Sequence, residues 1–187
     1  MSTHPFAGRH VRLEEYHSLI RDGLLDEDDK LELLRGTIVA MTPQGIAHAR
    51  VIRTLTEHLV LTLSGHARVL VQLPLTLGDD SEPEPDLAVV SLAEAARTDS
   101  HPRTALLIVE VAGDSLRKDR TLKCEIYACA GVSEYWIVNL EGRCVEVYRD
   151  PEPAAGRYAT ALCAGPAEVL VPVALPQARL SVEQLFA

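Results

Sequence analysis

The sequence predicts a single domain of the α/β or α+β class, in which helices flank a mixed β-sheet. Its 187 residues fit one domain, and 47% hydrophobic with 24% charged residues is ordinary globular usage, enough for a core. The predicted elements follow the order helix, strands, helix, strand, which is typical of a mixed sheet. We assign residues 1–187 to one domain with a core at about 31–149, an N-terminal pair of extra strands, and a strand-rich C-terminal extension at 150–187.

The N-terminal half is predicted to contain two helices and four strands. Leu13, Tyr16 and Ile20 recur at three- and four-residue steps, which predicts a helix over about 11–22. A longer apolar stripe predicts a second helix over 46–63, and Gly65 provides its stop. Short apolar runs predict four strands, of which the first two turn at Arg35-Gly36: 31–36, 37–41, 67–77 and 86–91.

The C-terminal half is predicted to add a parallel pair of strands to the sheet. A strand at 105–111 is followed by a helix from about 116 to 130, which Gly131 ends, and then by a strand at 135–138. A helix between two strands is the usual crossover between parallel neighbours. An alternating strand at 143–149, further short strands between prolines and a helical turn at 182–186 complete the chain.

Charge and cysteine usage narrow the class of protein. The net charge of −9 disfavours a protein that coats nucleic acid, because such binding depends on neutralising phosphates, but it leaves room for a nuclease with acidic catalytic residues. No apolar run approaches the roughly 18 residues of a membrane span, and residues 1–6 lack the apolar segment of a secretory signal. Four cysteines without metal-type spacing are expected to be reduced, in a cytoplasmic protein.

Two predicted strands each contain an acid that packing does not explain. Asp86 opens one strand, and Glu110 follows five apolar residues near the end of the next. If the strands are neighbours, the two carboxylates repel by about 4 kcal/mol at about 4 Å and an effective dielectric of about 20. A Mg²⁺ or Mn²⁺ ion relieves this repulsion and activates water for phosphodiester hydrolysis. The alternatives are an exposed acid at the strand entry for Asp86, and a helix cap or an arginine pair for Glu110.

The helix after the second acid contains a lysine that can reach the same place. Lys123 lies four residues after Asp119 and four before Tyr127, so the three share one helical stripe. A lysine at a metal site orients the nucleophile or stabilises charge on phosphorus, whereas the alternative is a surface Asp119–Lys123 pair worth a few tenths of a kcal/mol. The basic residues within 117–123 are either a phosphate-binding patch or a solvated helix face.

These features belong to a longer set of segments that resembles a known family. The set consists of Leu31-Glu32-Leu33-Leu34-Arg35-Gly36, His48, Pro85-Asp86, Glu110-Val111, Ser115, Asp119, Lys123, Tyr127-Ala128, Gly131-Val132 and Glu134-Tyr135-Trp136, and the resemblance that it supports extends from about Tyr16 to Tyr148. Together the segments resemble the Uma2 (DUF820) family of restriction-endonuclease-like proteins, and those from Glu110 to Trp136 are the most specific.

The Uma2 family is similar to the PD-(D/E)XK nucleases, and the resemblance therefore implies a restriction-endonuclease-like fold. It implies that Asp86 and Glu110 hold Mg²⁺ or Mn²⁺, that the backbone carbonyl of Val111 is a further ligand, and that the protein cleaves DNA. The nuclease pattern has lysine two residues after the second acid, where this chain has Ala112. Lys123 matches the helix lysine that takes its place in Uma2 proteins.

Further candidate residues surround the implied site. Glu32 is predicted as an additional catalytic acid, with an exposed strand glutamate as the alternative. His48, Gln72, Ser115 and Asp119 are candidates for contacting the substrate or supporting the metal ligands. For His48 the alternative is a core histidine that needs only one hydrogen-bond partner.

The sequence thus predicts a Mg²⁺-dependent endonuclease that acts on DNA, as a homodimer whose interface comprises residues 143–149 and 169–175. Two alternatives stay open. Ala112 and the net charge favour a non-catalytic nucleic-acid-binding or interaction module on the same fold. The acidic composition also suits a metal-dependent hydrolase of a small phosphorylated molecule.

Overall fold

The structure is a computed structural model that describes residues 9–26, 30–41 and 43–187. Its N-terminal part contains two helices and a β-hairpin: α1 (Leu13–Arg21), β1 (Leu31–Leu34), β2 (Thr37–Ala40) and α2 (Ile46–Leu63). The two strands pair antiparallel as a sheet of their own. The two predicted helices are confirmed. The predicted turn at Arg35-Gly36 is confirmed as well, because Arg35 and Gly36 both adopt the positive φ of a tight turn, at 47° and 71°.

A six-stranded mixed sheet forms the centre of the protein. Its strands lie in sequence order: β3 (Ala67–Val71), β4 (Leu87–Ser91), β5 (Leu107–Ala112), β6 (Glu134–Asn139), β7 (Cys144–Glu152) and β8 (Arg157–Ala164). Neighbouring strands are antiparallel except β5 and β6, which are parallel. The predicted mixed sheet flanked by helices is therefore confirmed.

The parallel pair is connected by a continuous helical segment, as the sequence predicts. This segment consists of α4 (Leu116–Lys118), a π-helical turn (Asp119–Lys123) and α5 (Cys124–Cys129), and it is preceded in the chain by the short α3 (Leu92–Ala95) that follows β4. π-helical turns are rare and occur frequently at functional sites. The turn begins at Asp119 and ends at Lys123, the two residues that the sequence predicted to share one stripe of a regular helix.

The sheet separates two apolar layers. On one face, Leu55 and Leu59 of α2 pack with Val109 of β5 and Trp136 of β6. On the other face, Tyr127 of α5 belongs to a second cluster. The strand residues in this second cluster alternate along the chain with the strand residues in the first. Both faces of the central strands are thus covered, which explains why β5 and β6 read as nearly continuous apolar runs.

Two boundaries differ from the prediction by more than two residues. The third strand ends at Val71 rather than at residue 77, because Gln72 has a φ of 52° and Pro74 has no N–H to donate to a ladder. At the other edge, β7 continues to Glu152 and pairs with β8. The main sheet therefore continues into residues 150–164, which the sequence analysis assigned to the C-terminal extension.

The rest of the C-terminal segment folds back onto the α2 face of the sheet. It contains the two-residue strands β9 (Val169–Leu170) and β10 (Leu180–Ser181) and the helical turn α6 (Glu183–Phe186). Leu185 and Phe186 join the cluster around α2. This confirms the predicted terminal helical turn.

All four cysteines are free thiols. In the described part of the chain, no helix has the length and apolarity that crossing a bilayer demands. The first eight residues, which include those expected to lack a signal segment, lie outside the described residues.

Candidate active site

The two strand acids lie where the ladder between β4 and β5 ends. The last pair of the ladder is Leu87 opposite Val109, and Pro85 has no N–H with which to extend it. The Asp86 side chain continues the pairing instead, because its Oδ2 accepts a hydrogen bond of 2.8 Å from the Val111 backbone N–H. In antiparallel pairing a residue's N–H and C=O point to the same side, so the Val111 carbonyl also faces Asp86.

Asp86 and Glu110 belong to the same side of the sheet. Side chains two residues apart on a strand point to the same face, so Asp86 shares a face with Ala88 and Glu110 shares a face with Ile108. Ala88 and Ile108 both lie in the cluster on the α5 face. Both acids line one cavity of about 60 Å³. The cavity is also lined by three further carboxyl groups and two ammonium groups, namely those of Glu32, Glu84, Asp119, Lys118 and Lys123.

Glu110 is buried and receives two hydrogen bonds on one oxygen. Lys123 Nζ lies 2.9 Å from Glu110 Oε1, and the Tyr127 hydroxyl donates to the same oxygen over 2.6 Å. Among the described residues, none donates a hydrogen bond to Oε2. Burial raises the pKa of Glu110 to about 8, although Lys123 acts in the opposite direction. The carboxyl group is therefore short of positive charge.

The lysine and Glu32 form a buried ion cluster beside Glu110. Lys123 Nζ lies 3.0 Å from Glu32 Oε2, and Lys118 Nζ lies 2.8 Å from Glu32 Oε1. Burial alone lowers the pKa of Lys123, but the carboxylates of Glu110 and Glu32 reverse this and raise it above its ordinary value. Burial alone raises the pKa of Glu32, but Lys123 and Lys118 bring it below its ordinary value.

This cluster corrects one expectation. The acids of the cavity are neutralised in part by buried lysines, whereas the sequence analysis assigned this to a metal ion. Glu32 lines the cavity as predicted, and its two oxygens lie within 3.0 Å of lysine ammonium groups.

His48 and Gln72 contact Asp86 from two different elements. His48 Nε2 lies 3.0 Å from Asp86 Oδ2, and its side chain, in the first turn of α2, is 16% exposed. Gln72 Nε2 makes a long contact of 3.5 Å with Asp86 Oδ1. Both line the cavity, so His48 is not an ordinary core histidine.

Ser115 and Asp119 lie together on the helical side of the cavity. The Ser115 hydroxyl donates to Asp119 Oδ2 over 2.6 Å, and the Tyr135 hydroxyl donates to the Asp119 backbone carbonyl over 3.2 Å. Burial is the main reason that the pKa of Asp119 is raised above its ordinary value. All eight candidate side chains, together with Val111, therefore line a single cavity.

The structure excludes several of the alternatives. All four of these side chains are buried: Asp86, Glu32, Asp119 and Lys123. Asp86 and Glu32 are therefore not exposed acids, and Asp119 and Lys123 are not a surface pair. The basic run over 117–123 is not simply a solvated helix face, since three of its four cations contact acids. Lys118 contacts Glu32, Arg120 contacts Glu146, and Lys123 contacts both Glu110 and Glu32.

Sequence reasoning did not assign Tyr127, Glu84 or Lys118 to the cavity and its wall. Tyr127 was on the predicted helical stripe with Lys123. The available signal was that its hydroxyl could then face the same acid as the lysine, Glu110. Glu84 lies two residues before Asp86 and lines the cavity; burial is the main reason that its pKa is raised. Lys118 belongs to the basic run over 117–123, but a regular helical pattern does not direct it to the cavity, because the π-helical turn that follows it is what brings it there.

The donor set fits a magnesium site that substrate and water complete. Within the described residues, no three side chains of His, Cys, Asp or Glu are grouped closely enough to hold a metal by themselves. Mg²⁺ is usually held by one or two carboxylates with waters and substrate phosphate. Oxygens of Asp86 and Glu110 and the Val111 carbonyl are of this kind.

A mixed sheet with two acids at neighbouring strand ends and a helix lysine beside them defines a restriction-endonuclease-like protein. The chain belongs to the Uma2 family, whose model, described as "Putative restriction endonuclease", matches residues 13–183. This places it among nucleases at the level of the family.

One solved structure supports this fold. The chain is similar to a nuclease of family DUF820 from Anabaena variabilis ATCC 29413, described as putative, with a TM-score of 0.72 and 18% identity over 94% of this chain and 97% of that one. The type IIG restriction endonuclease BpuSI matches more weakly, with a TM-score of 0.38 and 20% identity over 55% of this chain and 11% of that one. No curated protein matches the chain.

Proposed function

We propose that the protein is an endonuclease that hydrolyses DNA phosphodiester bonds with Mg²⁺ or Mn²⁺ at Asp86 and Glu110. The observation that carries the proposal is the convergence of these acids, Val111 and Lys123 on one cavity at the end of the central strands. A buried acid with an unpaired oxygen in an acidic cavity is favourable for a hard divalent cation.

Each residue has a task that follows from its contacts. Asp86 is oriented by the Val111 N–H and by His48. Glu110 is oriented by Tyr127 and Lys123, which bind Oε1 and leave Oε2 available. When bound, the metal supplies Lewis acidity to the phosphodiester and lowers the pKa of a coordinated water.

The size of the cavity fits chemistry at the DNA backbone. A water needs roughly 10–15 Å³ of such space, so a cavity of about 60 Å³ has room for an ion and a few waters. A nucleobase does not fit inside. The phosphate would therefore meet the mouth of the cavity, which suits a backbone contact without base recognition.

The test is cleavage of plasmid DNA by purified protein with Mg²⁺, with Mn²⁺ or with a chelator. We expect metal-dependent cutting, and its loss by about 10²-fold or more in Asp86→Asn and Glu110→Gln, with folding retained by circular dichroism. The matched controls are Asp99→Asn and Glu141→Gln, two exposed acids outside the cavity. Cutting by either site variant at the rate of the wild type would reject the proposal.

The same experiment separates the alternatives. DNA binding without metal uptake or cutting would favour the non-catalytic module, for which Ala112 is the supporting observation. Metal-dependent hydrolysis of bis(p-nitrophenyl) phosphate without cutting of DNA would favour a hydrolase of small phosphorylated molecules.

The proposal includes a homodimer, because cutting both DNA strands takes two sites. Strand β7 is hydrogen-bonded on both edges, to β6 and β8, so it cannot extend the sheet into a second copy. The exposed Val169 and Val173, at 51% and 66%, are the apolar surface in the predicted 169–175 segment. Sedimentation equilibrium should give a dimer that Val173→Asp weakens; a monomeric wild type at micromolar concentration would contradict it.

A further inference from the structure

Two lysines contact Glu32, but they differ in burial and in the number of their partners. Lys123 is 5% exposed and its ammonium contacts two buried carboxylates, Glu110 and Glu32. Lys118 is 24% exposed and contacts Glu32 alone, over 2.8 Å. An ammonium has three donors, so Lys118 keeps donors for a group that enters from outside the cavity.

The π-helical turn explains why both lysines reach the same carboxylate. In a regular α-helix, residues five apart point about 140° away from each other. A π-helical turn has hydrogen bonds from residue i to i+5 and so brings residues five apart closer to one side. The turn spans Asp119–Lys123, and Lys118 and Lys123 consequently bind the two oxygens of Glu32.

Lys123 is poorly suited to contact a substrate itself. If its ammonium moved to a phosphate, Glu110 and Glu32 would lose a buried partner, and uncompensated buried charge is strongly unfavourable. Lys118 can contact a phosphate while it keeps Glu32, because its remaining donors are not shared with a second carboxylate.

The charge of the cavity requires a cation at the mouth. Five carboxyl groups line the cavity, and among the described residues Lys118 and Lys123 are the two lysines or arginines that do so. A phosphodiester is an anion, and its equatorial oxygens gain charge in the transition state. Lys118 is the partly exposed cation of the pair, and Glu32 fixes its position.

We propose that Lys118 contacts the scissile phosphate, and that Lys123 is a positioning residue that acts through Glu110 and Glu32. This rests on the proposed phosphodiester hydrolysis. Lys118 donates hydrogen bonds to a non-bridging phosphate oxygen, and Lys123 keeps Glu110 oriented within the cavity wall.

The experiment compares Lys118→Met and Lys118→Arg with Arg117→Met, a neighbouring exposed cation that does not line the cavity. In Mg²⁺, Lys118→Met should lower kcat for plasmid cleavage by about 10²-fold, Lys118→Arg should recover part of it, and Arg117→Met should be unchanged. In Ca²⁺, binding of a short fluorescein-labelled DNA duplex is measured against salt. Lys118→Met should reduce the slope of log affinity against log salt by about 1, and Mn²⁺ affinity should not fall.

The outcomes distinguish this inference from the proposed function. If the wild type binds the duplex but does not cut it, cleavage as the function fails, and the salt slope alone decides the role of Lys118. Equal slopes for Lys118→Met and Arg117→Met, or equal cleavage rates, would overturn the inference. Absence of duplex binding by the wild type would overturn it as well.

Discussion

The hydroxyl of Tyr127 donates a hydrogen bond of 2.6 Å to Oε1 of Glu110, in a part of the core where both side chains are buried. The tyrosine comes from α5 and the acid from β5, so the bond connects the helical layer to the strand that contains the proposed metal ligand. Lys123 contacts the same oxygen. The two contacts hold the carboxyl group in an orientation that leaves Oε2 without a donor among the described residues.

Tyr127→Phe should therefore weaken metal binding as well as the fold. Lys123 still satisfies Oε1, so the loss of stability should be about 1–2 kcal/mol, whereas Mn²⁺ affinity should fall by about tenfold or more. The control is Tyr158→Phe, which removes a buried hydroxyl that donates to the Val132 carbonyl, away from the cavity. Calorimetric Mn²⁺ titration checks this. Equal affinity in the two variants would contradict an orienting role for Tyr127.

Removal of the buried lysine should be costly to the fold. Lys123→Met leaves the carboxyl groups of Glu110 and Glu32 without their shared ammonium, and we expect a loss of about 3–5 kcal/mol in the free energy of unfolding. Adding Glu32→Gln to Lys123→Met should restore part of the loss, since Glu32 is the acid that the lysines keep ionised and the glutamine is neutral. Urea denaturation measures both. A single variant as stable as the wild type would mean that the buried ion cluster contributes little.

The sequence could predict those parts of the molecule that depend on local patterns. The helix α2 and the turn at Arg35-Gly36 follow from apolar spacing and turn chemistry. Asp86 and Glu110 were detectable because an acid in an apolar strand has no packing role. The mixed sheet follows from the helical crossover between β5 and β6.

Other parts depend on long-range contacts or on irregular backbone. Glu32 reaches Lys123 because the β1–β2 hairpin packs beside the main sheet, and nothing near Glu32 in the sequence specifies that contact. Lys118 reaches the cavity through the π-helical turn, whereas a regular helix would point it elsewhere. The early end of β3 follows from the left-handed conformation of Gln72, a conformation uncommon for residues other than glycine.

The raised pKa of Glu110 predicts a pH dependence of stability in metal-free buffer. Its pKa is about 8 in the folded protein, because of burial, against an ordinary value of 4.5. Between these values the folded state holds one more proton than the unfolded state, so this group makes the protein less stable as pH rises from about 4.5 to about 8. The slope is about 1.4 kcal/mol per pH unit where the full difference of one proton applies.

Glu110→Gln removes this titration and is the natural comparison. The stability of the variant relative to the wild type should rise through that pH window and level off above it. Denaturation at a series of pH values measures the difference. The other titrating groups are common to both proteins and largely cancel. A difference in stability that is independent of pH would show that Glu110 is ionised throughout.

His48 should support metal binding through Asp86. Its Nε2 lies 3.0 Å from Asp86 Oδ2, and loss of a group that orients a metal ligand typically costs about 10–100-fold in affinity or activity. We expect such a loss of Mn²⁺ affinity in His48→Ala. His58→Ala is the control, because His58 is on the same helix but does not line the cavity. If His48→Ala binds Mn²⁺ as tightly as the control does, His48 does not orient Asp86.

Glu134 should be a structural acid without a part in the chemistry. Its Oε1 accepts from Trp136 and Arg149, and its Oε2 accepts from the Val173 backbone N–H over 2.7 Å. A glutamine has one accepting oxygen and one donating nitrogen, so in either orientation its amide would face an N–H donor. Glu134→Gln should therefore cost about 2–3 kcal/mol in stability and increase hydrogen exchange at the Val173 amide, whereas Glu141→Gln, in an exposed turn, should do neither. Mn²⁺ affinity should stay unchanged, because Glu134 does not line the cavity. A loss of metal binding in a folded Glu134→Gln protein would contradict this. It would show that the C-terminal segment, which Glu134 contacts at Val173, supports the site.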